Sequence, residues 1–246
     1  MRYLILSDIH ANWEALEAVL ADAEGSYDRI FCCGDLVGYG GDPNRVAEWI
    51  RTHVPDVVRG NHDKACAGLE DLEWFNPVAR RSAEWTLKNL TEENAGYLRC
   101  LPKGPLPLEE FDMVHGSPLD EDEYLITPQD VEQVRPYLDR WLTFFGHTHL
   151  QGGFLVHRNG VRRIDKPYEP NAEESVQLER GAAYLVNPGS VGQPRDNDWR
   201  AGYAIYTPED RLVRYRRVPY DVSSAQAKII EAGLPEVLAD RLAAGF

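Results

Sequence analysis

Three short apolar runs near the start constrain this chain most, because each breaks off in a polar loop, and the first two loops lead into helix-patterned segments. Tyr3–Leu6 stops at Ser7-Asp8, as a strand buried on both faces does. Asn12 follows in a capping position, and Trp13, Leu16, Val19, Leu20 and Ala23 recur at helical spacing. Arg29–Cys33 is a second buried strand. It opens into Gly34-Asp35-Leu36-Val37-Gly38-Tyr39-Gly40-Gly41, too rich in glycine for anything but a loop. Pro43 opens a helix carrying Val46, Ala47, Trp49 and Ile50. Asp56–Val58 is a third strand, ended by Gly60. The order β-loop-α-β-loop-α-β points to a parallel sheet with right-handed crossovers, and such sheets gather their chemistry at the carboxyl ends of the strands.

The rest of the chain changes character twice. Residues 64–105 are patterned mostly as helix, with Val78, Ala79, Ala83, Trp85, Leu87 and Leu90 as the apolar set, and end at Pro102-Lys103-Gly104-Pro105. Past Phe111–His115, short strand-like runs dominate: Trp141–Phe145, Phe154–His157, Val161–Ile164, Tyr184–Val186, Gly202–Tyr206 and Leu212–Arg217. This half reads as a second sheet. From Asp221 the pattern is helical again. With no linker, repeat or low-complexity tract, residues 1–246 read as a single α/β domain with a helical insertion at 64–105 and a helical C-terminal segment.

Composition narrows the partners. Forty acidic against twenty-six basic residues leave a net charge of −14, which repels polyphosphate backbones and anionic membranes. No long nucleic acid and no membrane partner is expected. Cys32, Cys33, Cys66 and Cys100 show no C-x-x-C spacing and fit reduced thiols rather than a disulfide framework. The apolar stretch near Met1 is too short for a signal peptide, and no run approaches a membrane span. The expectation is a soluble cytoplasmic protein. Oligomeric state is not legible.

Five of the seven histidines sit in clusters at the predicted strand ends. Asp8-Ile9-His10 follows the first strand, Gly34-Asp35 the second, and Gly60-Asn61-His62-Asp63 the third. His115-Gly116 follows Phe111–Val114, and Gly146-His147-Thr148-His149 follows Trp141–Phe145. A lone histidine is usually a satisfied, partly buried residue; here every cluster falls where an α/β fold places its ligands. Alternating residues at a strand end need a bend before both side chains face one ion, and the adjacent glycines permit it. The donors are carboxylates, an amide oxygen and imidazoles without thiolate, which suits divalent Mn, Fe, Co or Zn better than Ca or Mg alone. Eight candidate groups are too many for one ion and about right for two sharing a bridge. Two divalent ions, Asp8, Asp35 and a bridging hydroxide leave about one positive charge, a site suited to a phosphate oxyanion. A carboxylate in place of Asn61 would cancel that excess.

Taken in order, Asp8-x-His10, Gly34-Asp35, Gly60-Asn61-His62-Asp63, His115 and Gly146-His147-x-His149 resemble the motifs of calcineurin-like metallophosphoesterases. Asp35-Leu36-Val37-Gly38-Tyr39-Gly40 and Asn187-Pro188-Gly189-Ser190-Val191-Gly192-Gln193-Pro194-Arg195 are similar to loops of its small bacterial and archaeal branch. The resemblance runs from residue 8 to about residue 195. It implies two facing mixed β-sheets flanked by helices. It implies one metal held by Asp8, His10 and His149, a second held by Asn61, His115 and His147, and Asp35 as the bridge. His62 is implied as general acid, with Asp63 placed to orient it. The implied activity is hydrolysis of a small phosphoester, a diester or nucleotide-type substrate, by a metal-bridging hydroxide. The alternative is a non-catalytic binding scaffold of the same fold, which has no need to keep a proton donor.

Other features carry less. Tyr39 and Arg195 lie in loops that the resemblance brings to the cleft, with Arg195 read either as a phosphate contact or as part of an ion pair. His53 and His157 fall outside the motifs. Cys32 and Cys33 point to opposite faces of a strand and read as small buried hydrophobes. Glu70-Asp71-Leu72-Glu73 and Asp120-Glu121-Asp122-Glu123 read as solvated acidic loops. Trp74, Phe75, Trp85 and Tyr97 read as core for the inserted helices rather than as a lid over a nucleoside.

Overall fold

Alternation along the first strand builds the architecture. The computed structural model describes residues 1–164 and 174–246. In β1 (Tyr3–Leu6) every residue is buried, but Leu4 and Leu6 point into one apolar core while Tyr3 and Ile5 point into another, as the two-residue period of a strand requires. β1 therefore lies in the middle of a layered structure. Cys32 and Cys33 divide between the same two cores, both fully buried.

The other strands are β2 (Arg29–Cys32), β3 (Asp56–Val57), β4 (Leu106–Pro107), β5 (Asp112–Met113), β6 (Leu142–Phe144), β7 (Gly152–His157), β8 (Gly160–Arg163), β9 (Glu174–Gln177), β10 (Ala183–Asn187), β11 (Ala201–Thr207) and β12 (Leu212–Val218). They form two six-stranded mixed sheets, ordered β3-β2-β1-β11-β12-β9 and β4-β5-β6-β10-β7-β8. β1 runs parallel to β2 and antiparallel to β11, with Tyr3 opposite both Arg29 and Tyr206. Rings of Tyr3, Phe31, Phe111, Phe144 and Tyr206 fill the space between the sheets at centroid separations of 4.9–6.2 Å, the spacing at which edge-to-face pairs are favourable.

The helices are α1 (Trp13–Ala23), α2 (Pro43–His53), α3 (Asn61–Cys66), α4 (Pro77–Asn89), α5 (Glu92–Cys100), α6 (Pro128–Val134), α7 (Val222–Glu231) and α8 (Glu236–Ala244). Apolar residues of α1, α2, α4, α5, α7 and α8 join Leu4 and Leu6 on the outer face of the first sheet. Val131 and Val134 of α6 cover the second sheet through Phe145, Phe154 and Leu185. The order of layers is helix, sheet, sheet, helix, as the resemblance implies.

Two sequence readings need correction. The second half does not form a sheet of its own, because β11, β12 and β9 complete the first sheet by pairing outward from β1. Strand pattern alone carries no information on which sheet a distant strand joins. The segment between β5 and β6 also holds α6, where Thr127 and Asp130 form a reciprocal cap and Pro128 occupies the first turn. That signature lies beside an acidic run, among residues whose pattern is otherwise strand-like. No helix among the described residues is long and apolar enough to cross a membrane.

Candidate metal centre

All five clusters meet at one end of the two sheets. The loop after β1 is tied to the loop after β2 by backbone hydrogen bonds from Asp8 N–H to Gly34 O and from His10 N–H to Asp35 O, each 3.0 Å. Asp8, His10, Asp35, His147 and His149 all take left-handed backbone conformations, with φ of 53°, 51°, 54°, 63° and 60°. Such strain costs about 1–2 kcal/mol per non-glycine residue and persists only where the surroundings impose it. The bend expected of the flanking glycines is met by Gly34, with φ of 93°, and is otherwise taken by the candidate ligands themselves. The glycines supply room instead: a Cβ on Gly60 would stand 2.0 Å from Asp35 Oδ1.

Ligand atoms of Asp8, His10, Asp35 and His149 lie within 4.8 Å of one another, and so do those of Asp35, His115 and His147. Asp35 belongs to both groups. Its Oδ2 is 3.5 Å from His10 Nε2 and 3.4 Å from His115 Nε2. His149 Nε2 lies 3.4 Å from Asp8 Oδ1, and Asn61 Oδ1 lies 3.2 Å from His115 Nε2. Every residue implied as a ligand is therefore at this centre.

Main-chain carbonyls orient the rings. Val37 O, Cys33 O and Gln193 O stand 3.1, 2.7 and 2.6 Å from Nδ1 of His10, His115 and His149, and Asp122 O stands 3.1 Å from His147 Nε2. A carbonyl only accepts, so each of these ring nitrogens carries a proton, and in the neutral rings of His10, His147 and His149 the other nitrogen presents a lone pair. His10 Nε2 and His149 Nε2 consequently face each other with lone pairs at 3.1 Å. Beside them, the buried Oδ2 atoms of Asp8 and Asp35 have no hydrogen-bond partner. Facing lone pairs and orphaned carboxylate oxygens call for a cation, and the donor set fits two.

The electrostatics divide the rings: burial opposes charge on His115, but the carboxylate of Asp35 outweighs it and raises that ring to about 10, whereas the other three stay neutral. Burial holds His10 and His149 well below the usual imidazole range and lowers His147 to about 3, so all three are neutral. Burial, with Asp35 close by, pushes Asp8 up to about 7. Burial also opposes charge on Asp35, but the imidazoles of His115 and His62 outweigh it and hold that carboxyl well below its ordinary value.

His62 stands beside the centre. Its ring packs 4.3 Å from Tyr39 and 5.5 Å from Phe75 between centroids, and its Nδ1 has no partner. Burial lowers it to about 4. Asp63 does not orient that ring. Its carboxylate accepts from the N–H groups of Gly60 (3.0 Å), Leu36 (2.8 Å) and Val37 (3.2 Å), bolting the third strand-end loop to the second. Adjacent residues at a helix start point apart, and Asp63 turns back to cap α3.

Arg195 lies with its guanidinium 5.9 Å from the Tyr39 ring centroid, donates to Gln193 Oε1 at 3.2 Å, and has a buried Nε without partner. No carboxylate pairs with it among the described residues. The Asn187 loop braces the centre: Asn187 Nδ2 donates to Gly146 O, and Ser190 Oγ donates to Asp8 O, both at 2.8 Å. His53 and His157 are exposed and belong to neither group. The acidic run 120–123 is not wholly solvated, since Glu121 is buried and held by Arg59 (3.0 Å) and Lys64 (3.2 Å). Trp85 and Tyr97 pack against the core as expected; the Trp74 side chain lies outside the described residues. Sequence reasoning missed Tyr124, whose ring lies over His147 at 3.9 Å, and undervalued Phe75. The only signal for Tyr124 was its place next to the acidic run.

The sequence model of the calcineurin-like phosphoesterase superfamily domain matches residues 1–211. The chain belongs to this superfamily. An uncharacterized protein of Methanocaldococcus jannaschii, MJ0912, is 38% identical over 256 aligned residues, covering 98% of this chain and 97% of its own. The crystal structure of a metallophosphoesterase from Sphaerobacter thermophilus is 41% identical and superposes with a TM-score of 0.86 over 100% of this chain and 99% of that one. A hypothetical protein from Pyrococcus horikoshii, PH1004, shares the fold at 21% identity, with a TM-score of 0.78 over 100% of this chain and 98% of its own. The superfamily generally binds two divalent metals, and the chain has His/Asp groups that could hold a metal.

Proposed function

We propose that this protein hydrolyses a small phosphoester at a two-metal centre held by Asp8, His10 and His149 on one side and Asn61, His115 and His147 on the other, with Asp35 shared. The observation that carries the reading is the 3.1 Å approach of His10 Nε2 and His149 Nε2 next to the unpartnered carboxylate oxygens of Asp8 and Asp35. Bound Mn, Fe, Zn or Co would supply Lewis acidity toward the phosphoryl oxygens and an activated water. Arg195 would take a phosphoryl oxygen: its Nε has no partner, and among the described residues no carboxylate pairs with it. His62 is the proton carrier to the leaving oxygen: it lines the cleft without joining either ligand group, and because burial leaves the resting imidazole neutral, the proton it hands over is one released by the attacking water. Tyr39 packs on both His10 and His62 and holds the His62 ring against the centre.

Four free cysteines, three of them buried, support a reducing and hence cytoplasmic setting. Protein purified without chelator should carry about two transition ions per chain and should cleave simple phosphomonoesters or diesters. Full activity in metal-free protein overturns the reading. Metal-loaded protein that turns over no phosphoester in a broad panel favours the scaffold role instead.

A further inference from the structure

On the His62 side the metal centre opens into a cavity of about 370 Å³, at the small end of the range for small-molecule sites. His62, His147 and Asn61 form its floor, so it is continuous with the centre. Two kinds of side chain form its walls. Tyr39, Phe75 and Tyr124 present rings. Tyr124 covers the His147 imidazole and still leaves 46% of its own surface exposed, and Phe75 meets the edge of His62. Glu70, Asp71 and Asp122 present carboxylates. Lys64 bonds to Glu70 at 2.8 Å and to Asp122 at 2.7 Å, and among the described residues neither lysine nor arginine lines the cavity. Asn76 adds a donor: its Oδ1 accepts from Val78 and Ala79 N–H, while its amide hydrogens have no partner among the described residues.

In a hydrolysis whose proton donor is His62, the group beside His62 is the leaving group. We propose that this cavity holds the leaving group, and that it is a nucleoside stacked against Tyr124 and Phe75 and carrying no phosphate besides the one being cleaved. The inference rests on the phosphoesterase reading above. Rings accept a flat base, the carboxylates accept its N–H groups, and Asn76 donates to its ring nitrogens or carbonyls. The same carboxylates repel any second phosphate, since of Glu70, Asp71 and Asp122 only Glu70 and Asp122 pair with Lys64, and Glu121 behind them shares that lysine with Arg59. In the reaction, water oxygen bonds to phosphorus, the bond from phosphorus to the nucleoside oxygen breaks, and that oxygen leaves as an alcohol with the proton delivered through His62.

Substrate pairs sharing one alkoxide but differing in the base test this: adenosine 5′-phosphate against ribose 5-phosphate, and the methyl diesters of both, with manganese-loaded protein. The adenosine member should have a kcat/KM at least about tenfold higher in the pair that is turned over, the usual worth of a stacked base. Adenosine 5′-diphosphate should fall at least about tenfold below the monophosphate. Tyr124→Ala and Phe75→Leu should bring the adenosine-to-ribose ratio toward one, a readout that metal loss alone does not move because it lowers both members alike. A ratio near one in wild type, a ratio unchanged in both variants, or turnover of bis(p-nitrophenyl) phosphate without turnover of any of the four sugar esters overturns the nucleoside inference and leaves the phosphoesterase reading standing. Failure on every ester, with metal bound, overturns both.

Discussion

The backbone N–H of His62 donates to Oδ1 of Asp35 at 2.9 Å, which fixes the carboxylate so that Oδ2 alone faces His10 and His115. One hydrogen bond thus links Asp35, the proposed shared ligand, to His62, the proposed proton donor. Asp35→Asn keeps the shape but removes the negative charge that two cations would share, and it places an amide among lone pairs. At least one metal and most activity should be lost. Asp8→Asn should spare the second ion, since Asp8 joins only the group with His10 and His149. Metal analysis of the two variants decides: equal metal content in wild type and Asp35→Asn would show the bridge to be misassigned.

His62→Ala tests the proton donor. A nitrophenolate leaves without a proton, whereas a sugar alkoxide does not. The variant should retain both metals and lose roughly 10²–10⁴-fold on an alkyl or nucleoside ester, with a clearly smaller loss on a nitrophenyl ester. Rates for the two ester types are measured beside metal content. Equal losses with intact metals remove His62 from the acid role.

Gly38→Ala reaches the same ring without touching it chemically. Gly38 has φ of +86°, and a Cβ there would stand 2.6 Å from His62 Nδ1. The added methyl brings backbone strain of about 1–2 kcal/mol and pushes the imidazole out of place. The variant should therefore reproduce the ester selectivity of His62→Ala while binding metal normally. Wild-type rates on the alkyl ester would mean that the ring position is not critical.

Much of this centre was legible because ligands sit where apolar runs end, and that is a local property. Leu6 to Asp8, Cys32 to Asp35 and Phe145 to His147 each show the switch from buried strand to polar loop in a few letters. The left-handed conformations of His10 and His149 were not legible, since nothing in a non-glycine residue announces φ above zero; surrounding hydrogen bonds impose it. Likewise, β11 joins β1 across about two hundred residues of chain, and no periodicity encodes that choice of sheet. Tyr124 and Phe75 escaped for a third reason. An aromatic side chain lining a cleft and one lining a core have the same sequence signature, and the packing of α3 and the 120–125 loop decides between them.

Asp63 provides the last test, because its expected role and its observed contacts part company. Its carboxylate accepts three N–H groups from two loops, is fully buried, and leaves the His62 ring alone. Charged acceptors of this kind are worth about 1.5–3 kcal/mol each when one is removed from a buried site. Asp63→Asn retains one acceptor oxygen for Leu36 and Val37 but turns an amide N–H₂ toward the Gly60 N–H, donor against donor. Stability measured by denaturant unfolding should fall by about 2 kcal/mol, and metal affinity should weaken because Asp35 and Asn61 lie in the two loops that Asp63 joins. Turnover should drop by similar factors on alkyl and nitrophenyl esters, since the damage reaches the ligands and not the proton donor. If the variant instead keeps its metals and its stability but shows the selective loss expected of His62→Ala, then Asp63 acts through the imidazole after all, and the contacts described here do not govern its function.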